Sequence, residues 1–229
     1  MYLRGGDMKL TFIYLNFPFW RAEVGRVALY FGDIEFESRI IDREEFAAMK
    51  RDGLLNDGTV IPFHQLPCLL VDDTPICQTG AIARFCGKLS GFYPSDAPLL
   101  AAQTDQFIDI ATDITELVIF TGRDKEPAVK AAERAELAKD GLARKLFILN
   151  KMIAPEGDFI LGDKIGLADV AIWRMCGWLS AGLDGIPTEI LSAFPHISRV
   201  CKAVDQHPKI MSWVKETYPA GYNRGSFAA

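Results

Sequence analysis

The sequence predicts an α/β unit followed by an all-α unit, and three observations carry that reading. Over roughly residues 8 to 90 the hydrophobic pattern switches between the strand and helix periods in the order β-α-β-β-β-α, with a short helical stretch after the second strand. From about residue 97 to about 217 the helical period holds throughout. Between the two lies "SGFYPSDAP", a run of turn-forming residues that reads as a linker.

The elements follow in order. "KLTFIYL" is a compact β-type run. "RAEVGRVALYF" sets Ala22, Val27, Leu29, Tyr30 and Phe31 among charges at helical spacing and stops at Gly32-Asp33. "FESRIID" alternates as a second strand, and "EEFAAMK" fits a short helix. After the polar "KRDGLLNDGTVIPFHQ" come "PCLLV", an Asp72-Asp73 turn and "TPIC", a hairpin of two short strands. Pro75 has no N–H to give a ladder, so the second hairpin strand belongs at a sheet edge. "TGAIARFCGKL" is the closing helix of the unit. Beyond the linker, "LLAAQTDQFIDIATDITELVIF" and "PAVKAAERAELAKDGLARKLFILNKMI" read as two long helices, the second opened by Pro127. "LADVAIWRMCGWLSAGL", "HISRVCKAVDQ" and "PKIMSWVKETY" supply the remaining helices.

Composition narrows the function. A chain of 229 residues can bury one large core or two smaller ones. With 49% apolar and 24% charged residues it has a globular composition, and a net charge of −5 argues against a nucleic-acid surface, leaving a small partner. The five cysteines are odd in number, spread out and form no C-x-x-C, so neither a disulfide framework nor a zinc site is indicated and a reducing, cytoplasmic setting fits. "MYLRGGD" lacks the apolar stretch of a signal peptide, and Asp169 and Arg174 interrupt the longest apolar region, which reads as a buried helix and not a membrane span. His64, His196 and His207 show no metal spacing and there is no glycine-rich phosphate loop, which disfavours metal and nucleotide chemistry.

Several short motifs then combine. "QLP" stands before the third strand, "VDD" at the turn and "QTGAIARF" after the fourth; in this order they resemble the cytosolic glutathione transferases. "FPHISRVCKAVDQHPKIMSWVK" resembles that family's last two helices, so the likeness covers nearly the whole chain. "KLTFIYLN", "RAEVGR" and "EEFAAMK" look most like the sigma, tyrosine-using class. The resemblance implies a thioredoxin-like glutathione-binding domain over residues 8–90 and a helical-bundle domain over 97–217 that supplies the electrophile site. It implies a homodimeric cytoplasmic detoxification enzyme that takes glutathione as co-substrate and conjugates its thiolate to small hydrophobic electrophiles. It also leaves open a glutathione-dependent isomerase or peroxidase of the prostaglandin type, and a non-catalytic, crystallin-like protein of the same fold.

By the same resemblance Pro67 is cis and turns the backbone of Leu66 outward, so that its N–H and C=O can pair with the extended cysteinyl backbone of glutathione as an added strand would. Taken alone, Leu66-Pro67 reads equally well as the start of a hairpin. Gln78 and Thr79 open a helix, where free N–H groups and the positive dipole end suit the γ-glutamyl carboxylate. Thr79 also reads as an N-cap, and a cap hydroxyl can serve a ligand as well. Gln65 and Lys50 are placed as donors to the glycyl carboxylate, each also readable as a solvated surface residue. Phe46 stands where the family has an aromatic, usually Trp, four residues before Lys50 and so on the same helix face. Between Lys50 and Pro67 the chain carries about eight extra residues around "DGLLNDGTV", able either to cover the glycyl end or to protrude.

The chemistry needs a thiolate, and a free thiol with a pKa of about 8.5 is only slightly ionised at neutral pH. A phenol donating to the sulfur lowers that pKa, and Tyr14, ending the first strand, is the candidate. "YLNFPFWRAE" is one residue longer than the sigma pattern; counting back from Arg21 lands on Leu15, which has no suitable group, so the extra residue is placed in "FPFW". Arg21 would support the electrostatics of the site, or sit on the surface as a helix-opening arginine. Phe17, Phe19 and Trp20 would form an apolar wall for the electrophile. Asp105 stands where the family has an acid reaching the γ-glutamyl amine across a dimer interface, with Asp109 one turn on as the competing assignment. Gly166 replaces the family's Ser or Thr cap three residues before Asp169, whose carboxyl is expected to bond the backbone from the N3 side.

Overall fold

The computed structural model describes residues 8–227; residues 1–7, on which the signal-peptide reading falls, and residues 228–229 lie outside the described residues. The chain divides into two compact units, Met1–Pro98 and Leu99–Ala229.

In the first unit the elements are β1 (Leu10–Leu15), α1 (Trp20–Phe31), β2 (Glu37–Ile41), α2 (Arg43–Asp52), a 3-10 turn (Pro62–His64), β3 (Cys68–Val71), β4 (Thr74–Cys77) and α3 (Thr79–Ser90). They build the thioredoxin-like arrangement, with a mixed four-stranded sheet in the order β2-β1-β3-β4. β1 runs parallel to β2 and antiparallel to β3, and β4 is the edge strand that tolerates Pro75. Strand alternation gives the sheet two apolar faces. On one, Ile13 and Cys68 pack with Ile41, Met49, Leu55, Ile61 and Cys77. On the other, Phe12 meets α1 so closely that a Cβ on Gly25 would lie 2.7 Å from the Phe12 ring.

The segment around "DGLLNDGTV" does not protrude as a free loop but packs onto the core of the unit. Gly53 ends α2 in the left-handed region at φ 72, the conformation that favours glycine, with the exposed His64 ring packed close over it. Leu54 and Val60 then form a single antiparallel bridge while Leu55 and Ile61 point into the core. Arg39 clamps the segment, its Nη1 donating to Asp57 at 2.7 Å and its Nη2 to Glu45 at 3.1 Å. The Glu45 carboxylate also accepts from the Asn56 N–H at 3.1 Å.

The second unit is helical, with α4 (Pro98–Phe120), α5 (Pro127–Lys139), α6 (Gly141–Met152), α7 (Leu167–Leu179), α8 (Pro195–Asp205) and α9 (Pro208–Thr217). The long helix expected from Pro127 onward is in fact two. Asp140 leaves helical geometry at φ −122 and ψ −87, just where Asp and Gly, both weak helix formers, stand side by side. α7 is buried along nearly its whole length. Its Arg174, fully buried, stacks against Trp173, Tyr218 and Tyr222 and donates to the Arg224 carbonyl at 3.1 Å. Asp169 accepts hydrogen bonds from the Gly166 N–H at 2.8 Å and the Ile160 N–H at 2.7 Å, so its carboxylate secures both the helix start and the preceding loop. Among the described residues no helix is long and apolar enough to cross a membrane.

Candidate functional site

Antiparallel pairing collects half of the predicted residues at one end of the sheet. Ile13 lies opposite Cys68, and Cys68 opposite Cys77. The next residues outward are therefore Tyr14 on β1, Pro67 and Leu66 before β3, and Gln78 and Thr79 after β4.

The Leu66–Pro67 peptide bond is cis. The Leu66 side chain packs with Phe46 and Leu15 against the buried cluster. Its backbone N–H and C=O have no hydrogen-bond partner among the described residues. Upstream, Phe63 and His64 both adopt positive φ, at 60° and 50°. His64 Nδ1 lies 3.3 Å from the Lys50 carbonyl oxygen, which holds the end of α2 beside the segment leading to Gln65. Lys50 and Gln65 are both exposed.

Thr79 is not the cap of α3, which corrects that alternative. The helix begins at Thr79 and the cap is Gln78, whose side chain makes no capping bond and whose carbonyl accepts from the Ile82 N–H at 3.0 Å. Gln78 sits at φ 74 and ψ 121, a conformation that side chains rarely adopt. Thr79 Oγ1 is buried and has no hydrogen-bond partner among the described residues. A strained exposed glutamine, an unsatisfied hydroxyl and a helix N-terminus thus coincide, an arrangement matched to an anionic group with acceptor oxygens. Together with the unpaired Leu66 backbone it fits an extended peptide ending in a carboxylate.

Tyr14 is buried, with its ring centroid 5.7 Å from that of Phe17. Alternation places it on the Phe12 face of the sheet, opposite the Leu15 and Leu66 side chains. The following loop makes two successive tight turns, Phe17 N–H to the Leu15 carbonyl at 2.8 Å and Phe19 N–H to the Phe17 carbonyl at 3.0 Å. α1 opens at Trp20, with Phe19 as its cap and Arg21 as its second residue. The expected apolar wall is accordingly smaller: Phe19 and Trp20 are 5% and 0% exposed, because they form the cap and first turn of α1, while Phe17 keeps 38%. The Arg21 guanidinium lies over the Trp20 ring at 5.6 Å.

Asp105 belongs to α4 in the second unit, where it is half-buried while Asp109 is exposed. The same unit has a feature that the sequence reading missed. A groove of about 290 Å³ runs between α4 and α6, lined chiefly by Phe107, Ile110, Ile148, Leu149 and Met152. Its signal is the i, i+3 and i, i+4 spacing of apolar residues on outward faces. Also missed is the register pairing of Cys68 with Cys77, which follows from the two-residue turn between the hairpin strands.

Comparison with known proteins bears on this geometry. Residues 10–87 match the glutathione S-transferase N-terminal domain and residues 112–217 the glutathione S-transferase C-terminal domain. The chain is similar to glutathione S-transferase 2 of Caenorhabditis elegans, 30% identical over 159 residues that cover 66% of this chain and 78% of the relative. It is similar to glutathione S-transferase 1 of Ascaris suum at 28% identity, covering 85% and 90% of the two chains. Among solved structures, a prostaglandin synthase D of Nilaparvata lugens shares the fold with a TM-score of 0.75 at 24% identity, covering 91% of this chain and 98% of that one.

Proposed function

Because the chain belongs to the glutathione S-transferase family, and is a glutathione transferase with glutathione as co-substrate, we propose that it conjugates the glutathione thiolate to small hydrophobic electrophiles in the tyrosine-using, sigma-like manner. The observation that carries the reading is the coincidence, at one sheet end, of the unpaired Leu66 backbone with the partnerless Thr79 hydroxyl. In this reading Leu66 pairs with the cysteinyl backbone and Pro67 sets the chain direction. Gln78, Thr79 and the first N–H groups of α3 take the γ-glutamyl carboxylate, while Gln65 and Lys50 take the glycyl carboxylate beside Phe46. Tyr14 donates its phenolic proton to the sulfur, Arg21 supports the anion, and Phe17 offers apolar contact to the electrophile. Asp105 of a second copy completes the γ-glutamyl site in a homodimer. Five free cysteines suit the cytoplasm.

The chemical step then needs little more than a stabilised thiolate. A phenol hydrogen bond favours the charged sulfur, which attacks the electrophilic carbon as its leaving group departs. Tyr14→Phe keeps the ring and removes the donor. Loss of one such preorganised donor lowers turnover on the order of 100-fold or more. Turnover with a generic aryl halide is expected to fall by that amount, and the thiolate's ultraviolet absorbance at neutral pH to disappear. Unchanged turnover and absorbance would show that the donor is not Tyr14. A second reading takes its support from the fold shared with a prostaglandin synthase D, and has the same thiolate serve an isomerase or peroxidase. Faster turnover of an endoperoxide or hydroperoxide than of the aryl halide would favour it.

A further inference from the structure

Cys68 and Cys77 are the first residue of β3 and the last of β4, and they face each other directly across the hairpin. Opposed residues of an antiparallel pair have Cα atoms about 4.5–5.5 Å apart. A disulfide spans about 4.4–6.8 Å between Cα atoms, so this pair can be joined with little backbone movement. Cys77 donates to the Gln65 carbonyl at 3.6 Å. Cys176 and Cys201 also meet, in the second unit, but both are wholly buried, whereas Cys77 retains 6% exposure at the sheet end.

We propose that Cys68 and Cys77 are a redox-sensitive dithiol, closed to a disulfide by a low-molecular-weight disulfide such as glutathione disulfide, and that closure weakens glutathione binding. The second half rests on the reading of this sheet end as the glutathione site. Cys77 is the attacking sulfur: it is the more accessible of the two, and the neighbouring Cys68 thiol lowers its pKa. Cys68 is wholly buried, and its thiol is held up by the neighbouring Cys77 and by burial, which suits it to be the resolving partner. Cys77 loses its proton to solvent, and its thiolate attacks one sulfur of glutathione disulfide, expelling a glutathione thiolate and leaving a mixed disulfide. Cys68 then gives up its proton and attacks the Cys77 sulfur, expelling the second glutathione thiolate. The two protons lost by the protein balance those taken up by the two thiolates. Two protein thiols are oxidised and one glutathione disulfide is reduced to two molecules of glutathione.

The bond would act where the ligand is held. Cys68 directly follows Leu66-Pro67, and Cys77 directly precedes Gln78-Thr79. Closure removes the thiol proton that Cys77 gives to the Gln65 carbonyl, so the segment presenting Leu66 loses a tether. Loss of one neutral hydrogen bond corresponds to about a fivefold loss of affinity.

The test incubates the full chain in mixtures of glutathione and glutathione disulfide, blocks remaining thiols by alkylation, and maps the peptides by mass. Calorimetry then measures glutathione affinity before oxidation, after it, and after reduction with dithiothreitol. The expected result is a linked pair of peptides containing Cys68 and Cys77, with Cys176 and Cys201 unlinked, and an affinity about fivefold weaker that reduction restores. Cys68→Ser is expected to stop at a glutathionyl adduct on Cys77, and Cys77→Ser to form neither product. If the reduced protein binds glutathione but Cys68 and Cys77 stay alkylatable in every mixture, the dithiol proposal is overturned while the site reading stands. If the pair links and the affinity is unchanged, the regulatory half is overturned. If the pair links but the reduced protein binds no glutathione, it is the site reading that fails, and the regulatory half with it.

Discussion

Thr79 shows how a single atom can distinguish a binding role from a folding one. Its hydroxyl is buried without a partner, and a polar group in that state costs the free protein roughly 1–3 kcal/mol. Thr79→Val keeps the branched shape and replaces the hydroxyl with a methyl. The variant is expected to be more stable than the parent by up to about 1 kcal/mol in chemical denaturation, and to bind glutathione roughly tenfold more weakly, since a hydrogen bond to a carboxylate is worth about 1.5–3 kcal/mol. Thr79→Ser should retain the affinity. A valine variant that loses stability and binds normally would show that the hydroxyl serves the helix instead. Gln78 beside it belongs to the same argument, because its left-handed backbone is a cost borne next to the proposed ligand contact.

At the scale of elements, the segment between α2 and the 3-10 turn is held by Arg39, Asp57 and Glu45. Asp57 is held down to about 2 by the Thr59 hydroxyl and N–H, with Arg39 as a further cause. Its folded pKa is below its ordinary 3.8, so its contribution to stability is complete above that value and disappears as the pH falls toward about 2. The stability gap between the parent and Asp57→Asn should therefore exist at neutral pH and close over that acid window. Asp57 is more than half exposed, so the gap is under about 1 kcal/mol and shrinks with salt. Arg39→Ala removes the common partner of Asp57 and the mostly buried Glu45, and is expected to cost about 1–3 kcal/mol. Thermal melts across pH test the first expectation, and limited proteolysis over residues 53–60 tests the second. A gap that widens in acid would contradict the assignment.

For the whole molecule, the proposed reading requires a second copy. Asp105 lies in the helical unit, and in that reading it meets the γ-glutamyl amine of glutathione bound to the partner. Asp105→Ala is expected to weaken glutathione binding roughly tenfold, as a lost charge-assisted hydrogen bond does, while the fold and the elution volume of a dimer persist. Calorimetry together with sedimentation checks both. A stable monomer with full activity would remove the dimer from the reading, and an unchanged affinity would pass the role to Asp109.

Periodicity, turn residues and prolines were enough to place the strands, the order of units and the edge position of β4. Pro75 has no ladder donor, and the Asp72-Asp73 turn dictates which hairpin residues face each other, so both features are local. The motifs around Leu66-Pro67 and Gln78-Thr79 likewise fall at one end of the sheet, the end on which the proposed reading rests. Other features were decided only when distant segments packed. The burial of Phe19 and Trp20, the folding of residues 53–61 onto the core and the partnerless Thr79 hydroxyl have no signature in a window of neighbouring residues. A repeating pattern reports which face of an element avoids water. Which polar atom on that face is left without a partner depends on what every other element brings to it, and that is settled only by the tertiary fold.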